Sequence, residues 1–216
     1  MTSITIIGGH GKIGLRLARI LADSGHDVTS WIRSADQSAD IEAVGATPAV
    51  LDVESMSVAE MASALAGAEA VVWSAGAGGG SPERTLAVDR DAAIRSVDAA
   101  KQSGDPLYVM VSYFGASTDH GVPQDNPFHT YAEAKAAADA HLRASGVRWV
   151  ILGPGALTDD AGTGRIEVGD DVNGGSVSRD DVAAVAAHVL DRPELAGSTI
   201  QFNNGDTPIA QALSPA

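Results

Sequence analysis

The chain has 216 residues, of which 44% are hydrophobic and 19% charged, a balance typical of a globular protein that folds as one domain. The formal net charge of −14 argues against a nucleic-acid surface, because phosphate backbones require clustered lysine and arginine. The lack of cysteine excludes disulfides and thiolate chemistry and favours a cytoplasmic protein.

Short β-branched runs alternate with helical stretches along the chain. In chain order, strands are predicted at 3–7, 27–32, 47–51, 70–73, 107–111, 149–152 and 198–202. The predicted helices are 11–24, 57–66, 82–103, 131–145 and 180–190. This alternation predicts an α/β fold with a doubly wound, mostly parallel sheet of Rossmann type. Residues 154–180, rich in glycine and aspartate, would add only a small C-terminal substrate cap within one domain over 1–216.

No apolar stretch approaches the roughly 20 residues that cross a bilayer, so no membrane association is expected. The sequence opens on a strand-like run without the basic and apolar regions of a signal peptide. A small-molecule substrate is therefore the expected partner, and the sequence makes no prediction of the oligomeric state.

The stretch IIGGHGKIG places glycines where the first strand gives way to the first helix. Glycines in the spacing G-x-x-G-x-x-G allow a sharp turn, close approach of a pyrophosphate and tight packing of the helix on the strand. The helix N-terminus then offers free amides and a partial positive charge to the anion. The turn therefore predicts a dinucleotide site, with these candidate residues: Gly8, His10, Gly11, Lys12, Ile13 and Gly14.

The second strand ends in Arg33 and Ser34, without the carboxylate that accepts from a ribose 2′-OH in NAD-preferring sites. A guanidinium is a planar fork of donors suited to a phosphate. Arg33 therefore favours NADP(H) over NAD(H), although a solvated surface arginine is the alternative.

Tyr131 and Lys135 form a Y-x-x-x-K pair on a predicted helix, where a separation of four residues brings both side chains to one face. Together with GGHGKIG, this pair resembles the short-chain dehydrogenase/reductase superfamily. The chain is most similar to its atypical NmrA-like and epimerase-like members. The likeness extends to the runs YVMVSYFGAS, SVSRDDVAAVAAHVL and STIQFNNGDTPIAQAL, and so to nearly the whole chain.

The resemblance implies roles for further residues. Asp52 and Val53 would border the adenine, the turn of Ser74, Ala75 and Gly76 would lie near the riboses, and Pro154 and Gly155 would flank the nicotinamide.

The resemblance also implies that Tyr131 protonates or deprotonates the substrate oxygen. Lys135 would hold the nicotinamide ribose and, with the cofactor cation, lower the pKa of Tyr131 from about 10 to near 7, which needs about 4 kcal/mol. Ser112 is the candidate for the third catalytic hydroxyl. Ser117 and Thr118 are its alternatives, because Tyr113 and Phe114 occupy the positions where many relatives carry that hydroxyl.

Other chemistries have weaker support. The histidines show no H-E-x-x-H spacing, so no metal site is predicted, and no G-x-S-x-G elbow indicates a hydrolase. His10 and His129 could each border the cleft, and the loop 115–130 is expected to cover it.

Three functions remain open: an NADP(H)-dependent oxidoreductase acting on a small carbonyl or alcohol, an NmrA-like cofactor sensor without turnover, and an epimerase or dehydratase that retains its cofactor.

Overall fold

The computed structural model describes residues 1–79, 81–169 and 174–214. Its main sheet has nine strands, which in chain order are β1 (Ser3–Ile7), β2 (Asp27–Ile32), β3 (Thr47–Val50), β4 (Ala70–Trp73), β5 (Leu107–Val111), β6 (Trp149–Pro154), β8 (Arg165–Val168), β10 (Ser198–Asn204) and β11 (Thr207–Pro208). Their order across the sheet is β11-β8-β10-β6-β5-β4-β1-β2-β3. The two short strands β7 (Ala156–Thr158) and β9 (Ser176–Ser178) pair with each other outside this sheet. The predicted doubly wound, mostly parallel sheet is confirmed.

The helices follow the strands in alternation. They are α1 (Lys12–Asp23), α2 (Ser38–Ala43), α3 (Val58–Ala64), α4 (Pro82–Thr85), α5 (Ala93–Ser103), α6 (His129–Ala144), α7 (Arg179–Leu190) and α8 (Ile209–Ala212). A π-helical segment, Leu86–Ala92, joins α4 to α5, so the predicted helix over 82–103 is continuous but locally widened. Short 3₁₀ turns at Ala35–Gln37 and Pro193–Leu195 complete the set.

Side chains of each central strand alternate between two hydrophobic cores, one on each face of the sheet. In β4, Val72 packs in the core that includes Leu17 of α1, whereas Trp73 packs in the core that includes Val97 of α5. Both faces of a parallel strand are covered by helices, so its residues are apolar without polar alternation. The buried run of β1 has the same cause.

The region 154–180 differs from the predicted cap. Strand β8 lies within it and pairs antiparallel with β10, so this segment extends the main sheet as well as forming the β7–β9 pair. The prediction also covers 170–173, which lie outside the described residues. Across the described parts of the chain, no helix has the length and apolar character needed to cross a membrane.

Candidate active site

The turn between β1 and α1 is so tight that it requires glycine. Gly8 has a φ of +84°, and a Cβ there would lie 2.5 Å from the Cα of Ala75. A Cβ on Gly14 would lie 2.7 Å from the Gly8 carbonyl oxygen, so this glycine lets α1 pack against the turn. Gly11 is the N-cap of α1, and as a glycine it has no side chain that could cap the first amides. The first amides of the helix are therefore open to an anion.

A first cleft of about 510 Å³ lies at the carboxyl ends of β1 to β4. The sheet order reverses between β1 and β4, which is where open α/β sheets bind ligands. Most of the predicted cofactor residues line this cleft: Gly8, His10, Gly11, Arg33, Asp52, Val53, Ser74, Ala75 and Gly76.

Three predicted residues of the turn do not line the first cleft. Gly14 packs on the turn, and Ile13 is buried in the core. Lys12 turns outward and pairs with Asp159, Nζ to Oδ2, at 2.6 Å. Asp159 also accepts from Arg179 at 2.9 Å, so this exposed network ties the start of α1 to α7.

The far end of the first cleft carries polar groups suited to an adenosine. Arg33 is exposed at the end of β2, and Gln37 lies beside it in the lining. His10 shares this cleft, and its Nε2 lies 2.8 Å from Asp40 Oδ2 on α2. Arg33 is thus free to meet a phosphate, whereas His10 already has an acidic partner.

A second cleft of about 770 Å³ lies at the ends of β5 and β6, where predicted Ser112, Tyr131, Pro154 and Gly155 come together. The chain has nine aromatic residues (three each of Trp, Tyr and Phe), and four of them line this cleft: Tyr113, Phe114, Phe128 and Tyr131. The Phe128 ring centroid is 5.2 Å from those of both Tyr113 and Tyr131. The expected covering loop supplies part of this wall through His120, Val122 and Phe128.

Tyr131 presents a neutral phenol to the second cleft. Burial is the main cause that raises the pKa of its hydroxyl, and the nearby Asp89 raises it further. The lowered pKa expected from the sequence depends on the cofactor cation as well as on Lys135, and it stays a prediction.

Lys135 is 1% exposed and lines neither cleft, although the sequence predicted a ribose contact. Its Nζ donates to the Val111 carbonyl at 2.7 Å, directly before Ser112. Burial lowers the pKa of Lys135, while Asp139 and Asp89 raise it. The side chain therefore fixes the end of β5 against α6.

Ser112 is the predicted hydroxyl that reaches the second cleft. Its Oγ lies 2.6 Å from Asp139 Oδ2, so the two groups share a hydrogen bond. Its two alternatives, Ser117 and Thr118, are exposed on the loop and line neither cleft. Asp139 lies one turn beyond Lys135 on α6. Tyr131, Lys135 and Asp139 are spaced four residues apart, and this helical spacing is the sequence signal that could have identified Asp139.

Asp89 interacts with residues of both clefts, and it was not identified from the sequence. It lies in the π-helical segment, a conformation often found at functional sites, and is 2% exposed. Its Oδ2 accepts from the Ala77 amide of the first cleft at 3.0 Å, and its charge raises the pKa of Tyr131 in the second. Burial raises the pKa of Asp89 itself.

Two histidines and a glutamate meet beside the second cleft, a cluster that sequence spacing did not reveal. Ligand atoms of His120, His129 and Glu133 all lie within 4.8 Å of one another. The Val122 amide donates to His120 Nδ1, so Nε2 carries the hydrogen and donates to Glu133 at 2.9 Å. His129 bonds the Val122 carbonyl. These bonds fasten the covering loop to α6.

Residues 8–193 match a family model described as NAD(P)H-binding. The chain belongs to this NAD(P)H-binding family. Over 212 residues it is 35% identical to the Bacillus subtilis protein named uncharacterized sugar epimerase YhfK, a match that covers 97% of this chain and 98% of that protein. The resemblance to atypical short-chain dehydrogenases/reductases is confirmed.

Solved structures agree with the family. A Bacillus halodurans protein described as a candidate NAD-dependent epimerase/dehydratase has a TM-score of 0.90 at 29% identity, covering 99% of both chains. The Lactococcus lactis oxidoreductase ylbE has a TM-score of 0.85 at 25% identity, covering 98% of this chain and 95% of that chain.

The residues of this NAD(P)H-binding protein fit the nicotinamide cofactor of its family. Gly8 lets the turn lie directly against Ala75, where a Cβ would collide, and the amides at the start of α1, which Gly11 does not cap, suit a diphosphate. When bound, the cofactor supplies hydride chemistry.

Proposed function

We propose that the protein is an NADP(H)-dependent oxidoreductase that reduces a small carbonyl compound, with Tyr131 as the proton donor. The observation that carries this proposal is the position of Tyr131, which lines an aromatic cleft together with Ser112 at the ends of β5 and β6. A tyrosine phenol holds its proton at neutral pH and can give it to an oxygen that gains negative charge. This favours the direction of carbonyl reduction.

Lys135 and Ser112 support Tyr131 in this proposal. Lys135 holds the Val111 carbonyl, which fixes the position of the adjacent Ser112. Ser112 shares the second cleft with Tyr131 and provides the second hydroxyl for the substrate oxygen. The buried Asp89 raises the pKa of Lys135 and so supports its positive charge.

The lining of the second cleft favours a substrate with an apolar body. Phe128 is 42% exposed and Leu157 39%, which leaves an open apolar mouth. Aromatic walls bind flat or apolar groups well, while polar groups at the base set the orientation. We therefore favour an apolar aldehyde or ketone over a polyhydroxylated sugar. Steady-state NADPH oxidation with paired aromatic and sugar carbonyls tests this choice.

Arg33 supports the preference for NADP(H). We expect Arg33→Ala to weaken NADPH binding about 10- to 100-fold and to change NADH binding less than about threefold. A charge-assisted, two-pronged hydrogen bond to a 2′-phosphate contributes roughly 1.5–3 kcal/mol, and NADH lacks that phosphate. Fluorescence titration of both dinucleotides measures the change.

Arg19→Ala is the matched control, because Arg19 is an exposed arginine of α1 outside both clefts. It removes the same charge and should leave both affinities unchanged. Equal losses for NADPH and NADH in Arg33→Ala would contradict the 2′-phosphate assignment.

An epimerase or dehydratase with a retained cofactor is the second candidate, favoured by the name of the Bacillus subtilis relative. Such an enzyme regenerates its cofactor in place and has no need to release it. Release of the dinucleotide on dialysis, together with net oxidation of added NADPH, would favour the reductase.

A further inference from the structure

Three ionisable side chains are buried together behind the second cleft. Asp89 is 2% exposed, Lys135 1% and Asp139 0%, and each affects the pKa of another. If all three were ionised, this group would carry an uncompensated negative charge away from water. Such a charge is costly to bury, so one acid is expected to hold a proton.

The hydrogen-bond partners of Asp89 and Asp139 indicate which of the two acids holds the proton. Asp89 accepts from the Ala77 amide, which can only donate, so this bond stabilises a carboxylate. Asp139 is bonded to the Ser112 hydroxyl, which can accept as well as donate. The other oxygen of Asp139, Oδ1, is buried and finds no partner among the described residues. An unpaired oxygen penalises an ion more than a neutral acid.

The other groups around Asp139 do not reverse this assignment. Lys135, the Ser112 hydrogen bond and Arg143 lower its pKa, but burial outweighs them. Burial raises the pKa of Asp89 as well, so the hydrogen-bond partners decide between the two acids. The remaining neighbours are Tyr113 and Tyr131, which are neutral phenols with raised pKa values. Asp89 is the second acid that raises the pKa of Lys135, so it contributes the negative charge that pairs with this lysine.

We propose that Asp139 is a neutral acid that donates its hydrogen to Ser112 Oγ and thereby turns the Ser112 hydrogen toward the second cleft. An ionised Asp139 would instead capture that hydrogen and leave Ser112 only as an acceptor. Asp139 is thus a positioning residue, since it acts through Ser112 on the substrate oxygen. That last role rests on the proposed reductase function, whereas the location of the proton does not.

Infrared spectroscopy of the whole protein, without cofactor or substrate, tests the proposal near neutral pH. We expect a carbonyl stretching band of a protonated carboxylic acid that disappears in Asp139→Asn. In Ser112→Ala the band should shift, because its hydrogen-bond acceptor is lost. Asp36→Asn, at an exposed acid, is the control and should leave the band unchanged.

Absence of the band in the wild type, or its survival in Asp139→Asn, would overturn the proposal. A band that ignores Ser112→Ala would show that the acid does not donate its hydrogen to Ser112, and it would also overturn the proposal. These spectra need no turnover, so failure of the reductase function, seen with Tyr131 variants, is a separate result.

Unfolding in urea gives a second, independent measurement. An acid whose folded pKa is raised holds a proton that the unfolded chain releases above about pH 4, so the native state loses stability as pH rises. The urea midpoint of the wild type should therefore fall between about pH 5 and pH 8 more than that of Asp139→Asn. Asparagine mimics the neutral acid and cannot ionise. Parallel declines in the two proteins would contradict the proposal.

Discussion

Replacing Tyr131 by phenylalanine is expected to lower kcat for carbonyl reduction by about 10²- to 10⁴-fold, the usual contribution of a positioned general acid. The phenol is the protonated group that shares the second cleft with Ser112, and phenylalanine keeps the ring packing while removing the proton. Because Tyr131 does not line the first cleft, the affinity for NADPH should change less than about threefold. Steady-state oxidation of NADPH and fluorescence titration measure the two quantities.

Tyr113→Phe is the matched control for this prediction. Tyr113 lines the same cleft, and its ring centroid lies 5.7 Å from that of Tyr131. Its hydroxyl is buried without a hydrogen-bond partner among the described residues. We expect kcat to stay within about threefold of the wild type. Activity that survives Tyr131→Phe, or falls equally in both variants, would make the catalytic assignment wrong.

Gly8→Ala is expected to destabilise the protein by about 3 kcal/mol or more and to weaken dinucleotide binding at least about 100-fold. The added Cβ would meet the Ala75 backbone at 2.5 Å and would also require a left-handed conformation. The conformation alone costs roughly 1–2 kcal/mol, and the collision forces the turn away from the strand end where the diphosphate would bind. Urea unfolding gives the free energy, and titration with NADPH gives the affinity.

Gly25→Ala is the control that separates the cost of the left-handed conformation from the cost of the collision. Gly25 follows α1 with a φ of +82°, but its Cβ would meet nothing within 4 Å. It should therefore lose only about 1–2 kcal/mol of stability and bind NADPH normally. Unchanged NADPH affinity in Gly8→Ala would show that this turn does not hold the cofactor.

The arrangement of the sheet was predictable because local patterns encode it. Buried parallel strands such as β1 are short β-branched runs, and glycines at fixed spacing mark the first turn. The predicted first helix over 11–24 and the observed Lys12–Asp23 differ only at their ends. Helix α2 was missed, because six residues are too few to establish a helical period.

The environment of the site residues was not predictable in the same way. Spacing places Tyr131 and Lys135 on one face of α6, but it does not show that Lys135 is buried behind β5. The positions of Asp89 and Asp139 depend on contacts between α6, the π-helical segment and the ends of two strands. Such contacts join distant parts of the chain, so local sequence patterns do not encode them.

Calorimetric titration of NADPH into the wild-type protein tests the central claim most directly, namely that the glycine turn binds a dinucleotide. We predict saturable heat with one NADPH per chain, and weaker binding of NADH. Absence of binding heat with both dinucleotides, at protein concentrations that detect micromolar affinity, would contradict the account.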